Sequence, residues 1–592
     1  EMCIRDRLSI ALDDEGMLLL GSNGGGLFRF NPSTEEFIAN YKYDATNINS
    51  LPNDFIDDIY KDNEGIYWFG TEDGGVATFD PGSNKFNAYG KVGNGPNDLP
   101  GTSINAIYEA PDKRIWVGTE NNGFAVLNAE RTSYEQYILP NAHMARNNTF
   151  IMSIEGDGGN GVWVGGKMGG IAHVSEEGKI MKHYAQRFQP NDPHHLYDHD
   201  IMKIKYKSHG ELWLGGNKGF GKKIGEDFFQ FCYDESRPDG YCNEVVTSIE
   251  EYKDSLVIIG YYGGGIRIFH PRSNRFIGEY RSSNEPSSLS SDNINDICID
   301  KKNRIWIATT KGLNLMNLTD GTFSKFYKKD GLPNDQICSL IEDNNHQLWI
   351  ATTYGLSRYS PESGEFKNFY EEDGLLSNVF REGAAYKSNS GELFFGGVNG
   401  FVSFYPGGMS ENRVVPNVVL TNFKILNKNV IPGPKAPIQV AIEQVKKIEL
   451  HYGQESFSFE MAALNFKNPE KNKFAYKLVG FNDNWVHIGT KRHIDFTSLE
   501  HGNYVLKIKA SNNDGYWNEE GLSIPIIIYP PFWKTWWFRI LVVLLIITGI
   551  WIFIKKRLAN LKKRQEELER NVEERTKEIR LQKELIESKN NE

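Results

Sequence analysis

At 592 residues the chain is too long for one compact core, so several domains are expected. Phe, Tyr and Trp make up 13% of it and glycine supplies 58 residues, a mix that favours strands and tight turns over helices. The net charge of −11 comes from interspersed signs, and no basic field runs through the large N-terminal part, which argues against nucleic-acid binding there.

Residues 1–7 contain no apolar signal core and fit no repeat; they read as a truncated or non-native start. From Leu8 a pattern of roughly 47 residues recurs. One copy reads Ile294-Asn-Asp-Ile297, then Arg304-Ile-Trp306-Ile-Ala-Thr309, then Gly312-Leu-Asn-Leu; another reads Ile104-Asn-Ala-Ile107, Ile115-Trp116-Val-Gly118-Thr119, Gly123-Phe-Ala-Val. The central position recurs at Leu19, Trp68, Trp116, Trp163, Trp213, Ile258, Trp306, Trp349 and Phe394. Each copy parses as strand A (I-x-x-I), a D-x-x-G-like turn, strand B with the Trp, a T-x-x-G turn, strand C and a variable strand D. Four antiparallel strands at this period predict a β-propeller blade, with the Trp filling the space between neighbouring blades. A second mark precedes strand A, as in Leu51-Pro-Asn-Asp54 and Leu332-Pro-Asn-Asp335.

These residues resemble the two-component-regulator propeller repeat of large bacterial sensor proteins, from about Leu8 to Tyr405. The ninth copy ends at Tyr405-Pro406 without a strand D, and Lys85-Phe-Asn-Ala-Tyr89 is free to supply one. Copies three to nine are then expected to close a seven-bladed ring over 81–408, with 8–80 the last two blades of a preceding propeller; one ring of eight or nine blades is the rival. The resemblance implies two successive seven-bladed propellers.

Over 409–530 about seven short alternating strands suit an immunoglobulin-like sandwich. Tyr476-Lys-Leu-Val-Gly-Phe, with Trp485, and Gly502-Asn-Tyr504 through Tyr516-Trp517 resemble the tyrosine-marked (Y_Y_Y) sandwich that follows such propellers in sensor kinases. The tyrosines are read as packing residues at strands and corners. Trp533, Trp536 and Trp537 then precede an uncharged run, and Lys555-Lys556-Arg557 ends it, so 536–554 is expected to be a transmembrane helix with 1–535 periplasmic and 555–592 cytoplasmic. Leu561, Leu568, Val572, Ile579 and Ile586 fall on a and d heptad positions, which suggests a parallel two-stranded coiled coil. Val572-Glu-Glu-Arg575-Thr576-Lys-Glu578-Ile resembles the linker before a histidine-kinase dimerisation helix.

No G-x-S-x-G, H-E-x-x-H or Walker motif is present, and no catalytic or metal residue is assigned within the chain; His194-His195 with His199 is read as surface loop. Cys232 and Cys242 are spaced for a local bridge in an oxidising compartment, or are two free thiols. In a four-stranded meander the B–C and D–A connections share one face. The variable positions there are the candidate ligand contacts: Glu72, Asp73, Asn121, Asn122, Lys167, Asn217, Lys218, Tyr261, Tyr262, Lys311 and Tyr354. The resemblance implies the sensing part of a two-component histidine kinase in the cell inner membrane. It implies an oligosaccharide or other small ligand, homodimerisation through sandwich, helix and coiled coil, and phosphorelay to a response regulator that controls transcription. ATP and Mg are expected only for a kinase domain beyond the chain. The alternatives are the same arm on a nucleotide cyclase or DNA-binding output, and a membrane-anchored propeller enzyme.

Overall fold

In the computed structural model, residues 7–45, 50–82, 85–90, 99, 101–140, 150–159, 161–184, 196–207, 211–232, 244–409, 411–434 and 436–589 are described. The chain divides into two compact units, Glu1–Glu411 and Asn412–Glu592.

The first unit is built of antiparallel meanders. Six consecutive four-stranded sheets run from Ile104–Glu109 to Glu365–Phe369. A seventh contains Phe380–Lys387, Leu393–Gly397 and Gly400–Phe404, and its fourth strand is Asn87–Gly90, taken from before the first of the six. Phe401 pairs with Tyr89 and Val402 with Ala88, and the two rings of Phe401 and Tyr89 stack at 4.7 Å. The innermost strand of the seventh sheet packs against Ile104–Glu109, so seven blades form a closed ring, as the missing last strand predicts. Eight or nine blades are excluded. The strand that closes the ring is drawn from the copy before it: the sheet Ile56–Lys61, Tyr67–Thr71, Gly75–Phe79 has three strands, and Arg7–Tyr41 holds a four-stranded one.

Two arginines clamp the junction of first and last blades. Arg131 makes a bidentate pair with Glu392, at 2.7 and 2.6 Å, and its guanidinium lies over the rings of Tyr89 and Phe394. Burial opposes ionisation of Glu392, but the Arg131 hydrogen bonds outweigh it and hold the carboxyl below the usual carboxylate range. Arg381 of the last blade donates to Ser103 Oγ at 2.6 Å and pairs with Glu120 of the first.

Within a blade, the recurrent residues act as a unit. Asp300 accepts N–H bonds from Lys302 and Arg304 and from the indole of Trp306, at 3.0, 2.9 and 3.0 Å. Asp343 and Asp62 repeat this with Trp349 and Trp68. The buried indole therefore fills the inter-blade space, as expected, and is also tied to the A–B turn. The T-x-x-G turn is closed by the threonine hydroxyl on the glycine carbonyl, at 2.8 Å for Thr119, Thr309 and Thr352. The glycine has positive φ and its own N–H reaches the next blade, as from Gly312 to Asp335 O.

In the second unit, a four-stranded sheet (Lys428–Asn429, Asn417–Ile425, Phe457–Leu464, His493–Phe496) and a five-stranded sheet (Ile448–Leu450, Leu522–Ile528, Gly502–Ser511, Lys473–Val479, Asn482–Gly489) share one core that includes Phe423, Phe459, Leu506 and Ile526. Tyr504 packs there and donates to Glu500 O at 2.9 Å, a tyrosine corner. One helix, Trp536–Lys589, follows. Among the described residues it is the helix long and apolar enough to cross a membrane, with a stretch of mean hydropathy 2.5. The expected span and charged rod are parts of this one helix.

Candidate functional site

The innermost strand of a propeller blade packs both faces against neighbouring blades and turns its unpaired edge toward the ring axis. In I-x-x-I the two apolar residues take the inter-blade side: Ile104, Ile151, Ile201 and Ile294 are fully buried. The residue after the first of them sits at a β-bulge. Met152, Met202, Thr247 and Asn295 each have no partner on strand B, because the register skips them; Asn105 is skipped likewise. An unpaired residue bends the strand and re-aims its own side chain. Here the bulges surround a cavity of about 400 Å³ on the axis, lined by Asn105, Met152, Met202, Thr247 and Asn295. The last blade exaggerates the device. Phe380 pairs with Gly397 and Ala385 with Phe395, so residues 381–384 stand opposite the single Gly396. Arg381, Glu382 and Gly383 of this enlarged bulge complete the wall.

A second ring of residues comes from the position directly after strand B's terminal Thr or its equivalent: Glu120, Lys167, Asn217 and Tyr262. Six of the seven blades contribute to the cavity; the sixth presents Cys338, buried among inter-blade side chains.

Several lining groups are already committed. Asn105 and Asn295 donate to Ile151 O and Ile337 O of the next blade, at 3.2 and 2.6 Å. The Thr247 hydroxyl bonds Ile294 O at 2.8 Å, and Asn217 donates to Asp200 at 2.6 Å. The side chains of Lys167, Lys203, Tyr262 and Glu382 carry no hydrogen bond or ion pair to another described residue. Lys203 reaches toward the axis: its Nζ stands 3.8 Å from where a Cβ on Gly383 would be.

Below them lies a charged layer. Lys205 pairs with Glu250 at 2.9 Å, and chiefly that carboxylate raises its pKa. Burial pushes Asp296 up, against the opposing charge of Lys203, while its oxygens accept from Ser248 Oγ, Ile297 N and Leu340 N. Burial likewise pushes Glu155 up, against Lys205. The cavity thus offers free cationic, phenolic and carboxylate groups over a polar floor, a set suited to holding a hydroxylated or charged ligand. No three-residue metal cluster occurs among the described residues.

Of the sequence candidates, Lys167, Asn217 and Tyr262 line the cavity. Tyr261 does not: it is 1% exposed, packs in an inter-blade core and lies under the Arg267 guanidinium, so it presents nothing to a ligand. Glu72 and Asp73 sit on the three-stranded sheet before the ring. Asn121, Asn122, Lys218, Lys311 and Tyr354 stand one or two residues too far along their turns and lie outside the cavity lining. Their backbones close the turn instead: Asn122, Lys311 and Tyr354 donate N–H to the adjacent threonine hydroxyls. His194 and His195, and Cys242, lie outside the described residues; Cys232 is disulfide-bonded.

The sequence of the ring matches a family model described as "Two component regulator propeller" at residues 288–311 and 331–354, as well as 98–121 and, ahead of the ring, 50–73. Residues 465–529 of the sandwich match the "Y_Y_Y domain". The chain carries two-component regulator propeller repeats and a Y_Y_Y domain. A curated relative, "Histidine kinase P4" of Formosa agariphila, is 24% identical over 341 residues, covering 49% of this chain and 25% of its own length. The chain therefore spans about a quarter of that relative. Among solved structures, the extracellular domain assigned to hybrid two component system BT3049 of B. thetaiotaomicron superposes with a TM-score of 0.69 at 22% identity, over 88% of this chain and 73% of that one. That likeness shows a shared fold.

Proposed function

We propose that residues 1–535 are the extracytoplasmic ligand-sensing arm of a two-component sensor, and that the axial cavity of the regulator propeller holds an oligosaccharide or other small polar ligand. The observation that carries this reading is convergence. Six blades place a bulged or turn-end residue on one cavity, and four of its polar groups are left without a protein partner. A purely structural bulge would have no need to leave Lys167 and Lys203 unpaired above a half-buried acidic floor. The disulfide at Cys232 supports an oxidising compartment for the propeller. Trp536 and Trp537 at one end of the apolar helix and Lys555-Lys556-Arg557 at the other support an outside-to-inside direction through the inner membrane.

In this reading the ligand favours one of two arrangements of a homodimer, and the helix relays the difference to a cytoplasmic coiled coil. Leu561, Leu568, Val572, Ile579 and Ile586 are 54 to 63% exposed on the isolated helix, the seam a second copy would cover. The output is a histidine kinase using ATP and Mg, with a response regulator as its phosphoacceptor. Calorimetric titration of the chain in lipid nanodiscs with a panel of oligosaccharides tests the site. Binding to one class is expected, weakened about tenfold or more, or about 1.4 kcal/mol, by Lys203→Ala or Lys167→Ala. Silence across the panel overturns the oligosaccharide reading; binding that both variants retain in full moves the site off the axis.

A further inference from the structure

We infer that the end of the Y_Y_Y domain nearest the apolar helix is itself a lipid-docking surface, which inserts apolar loop tips into the outer leaflet beside the span. The inference rests on the reading of Trp536 onward as membrane-spanning. Strand register identifies which loops share that end. Ile528, the last residue before the chain leaves for the helix, pairs with Gly502 and Leu450. Val479 pairs with Val505 and Leu478 with Asn482, which brings the 480–481 turn to the same end. In the other sheet Ile425 pairs with Phe457 and Phe457 with Phe496. That sheet is tied in by Leu499 N on Glu455 O at 3.3 Å and Leu426 N on Ser456 O at 3.1 Å.

The tips of these loops carry large apolar side chains in solvent: Leu426 is 63% exposed, Tyr452 57%, Phe481 69% and Phe532 56%. Tyr452 packs edge-on against Trp533 at 4.7 Å, so loop and linker form one aromatic patch. Leu426 stands at φ 49, in a left-handed turn that β-branched and bulky residues avoid; an apolar residue held there and exposed has no intramolecular reason to be apolar. The opposite end differs: Asn412, Asn465, Asn472 and Asn513 form a hydrogen-bonded network there, and Phe466 is its exposed ring.

The occupant follows from distance. Seven residues separate Ile528 from Trp536, at most about 25 Å of extended chain, and Phe532–Lys534 is a tight turn that shortens it. Tryptophan and phenylalanine at such a depth partition into the headgroup boundary. Glu455 and Glu500 at the same end are balanced by Lys428 and Lys534, so no single sign of charge dominates and the contact is apolar.

The test uses the full chain reconstituted into phosphatidylcholine vesicles. A fluorescent amino acid is placed beside the tips, at Asn427 or Asp483, at the opposite end, at Lys491, or within the span, at Ile546. Lipids with a shallow acyl-chain quencher should dim the fluorophores at positions 427 and 483 and leave position 491 bright, at low and high salt. The Leu426→Glu, Phe481→Glu pair should restore intensity without moving the melting temperature. Quenching at 546 with none at 427 and 483 overturns the docking while keeping the span. Loss at 546 as well overturns the span reading beneath it. Protection of the tips that appears only at high protein density assigns them to a second copy and also overturns the proposal.

Discussion

Asp300 joins a turn to the strand that carries the inter-blade Trp306 through one carboxylate, because its oxygens bind two backbone N–H groups and the Trp306 indole. Removing it strands a buried indole N–H and opens the turn. Asp300→Ala should therefore cost about 3 kcal/mol, read by chemical denaturation. The pH dependence has a definite sign. Burial opposes ionisation of Asp300, yet the Trp306 and Arg304 hydrogen bonds prevail and hold its pKa below the usual value. The stabilisation is thus present above the unfolded-state pKa of about 3.9 and is lost as pH falls through the folded one; the gap between wild type and Asp300→Ala should narrow below about pH 3.9. The first blade of the ring supplies the converse. Ala110 occupies the aspartate's place six residues before Trp116, and the Trp116 indole N–H has no partner among the described residues. Ala110→Asp should gain about 1 kcal/mol. The D-x-x-G turn and the Trp were both legible in the sequence. Their mutual bond was not, since it depends on a side chain folding back across a strand.

Ring closure shows how far elements could be foreseen. A last copy without strand D and an unassigned Lys85–Tyr89 implied each other, and Asn87–Gly90 does complete the seventh sheet. The cavity was harder to read. Alternation along a regular strand would point the residue after Ile104 or Ile294 between blades; the bulge turns it to the axis, and nothing in a local pattern announces a bulge. A cue was nonetheless there in Asn105, Met152, Met202, Thr247, Asn295 and Arg381, residues of four kinds at one repeat position whose preceding neighbour is always apolar. The same one-residue offset separates Asn121 from Glu120, which lines the cavity. Closure also yields a graded prediction. Glu392 has a side chain 2% exposed, so Arg131→Ala leaves a buried carboxylate without its cation and should cost about 3–5 kcal/mol. Arg114→Ala, which removes a pair exposed at 29 and 40%, should cost under about 1 kcal/mol. Equal costs in denaturation would mean the bidentate clamp contributes no more than a surface contact.

At the scale of the whole chain, the proposed function depends on one helix dividing it between two compartments. From Trp536 to Ile554 the helix rises about 28 Å at roughly 1.5 Å per residue, close to the thickness of a hydrocarbon core. Its ends are marked alike: Arg539 lies over Trp536 at 5.8 Å and Lys555 over Trp551 at 5.0 Å, each a cation snorkelling along an interfacial ring. A helix buried in a soluble core would hide this surface, whereas here Leu545, Trp551 and Phe553 are 60 to 64% exposed. In the proposed reading, bilayer is the solvent that satisfies such a face, and charge on the Lys555 side sets its direction. Lys253, exposed on a blade turn, and Lys583, exposed on the distal helix, should then differ in access. In intact spheroplasts a membrane-impermeant amine reagent should modify Lys253 and spare Lys583, and permeabilisation should expose both. Equal labelling before permeabilisation would put propeller and rod on one side and remove the physical basis for a signal that crosses the membrane.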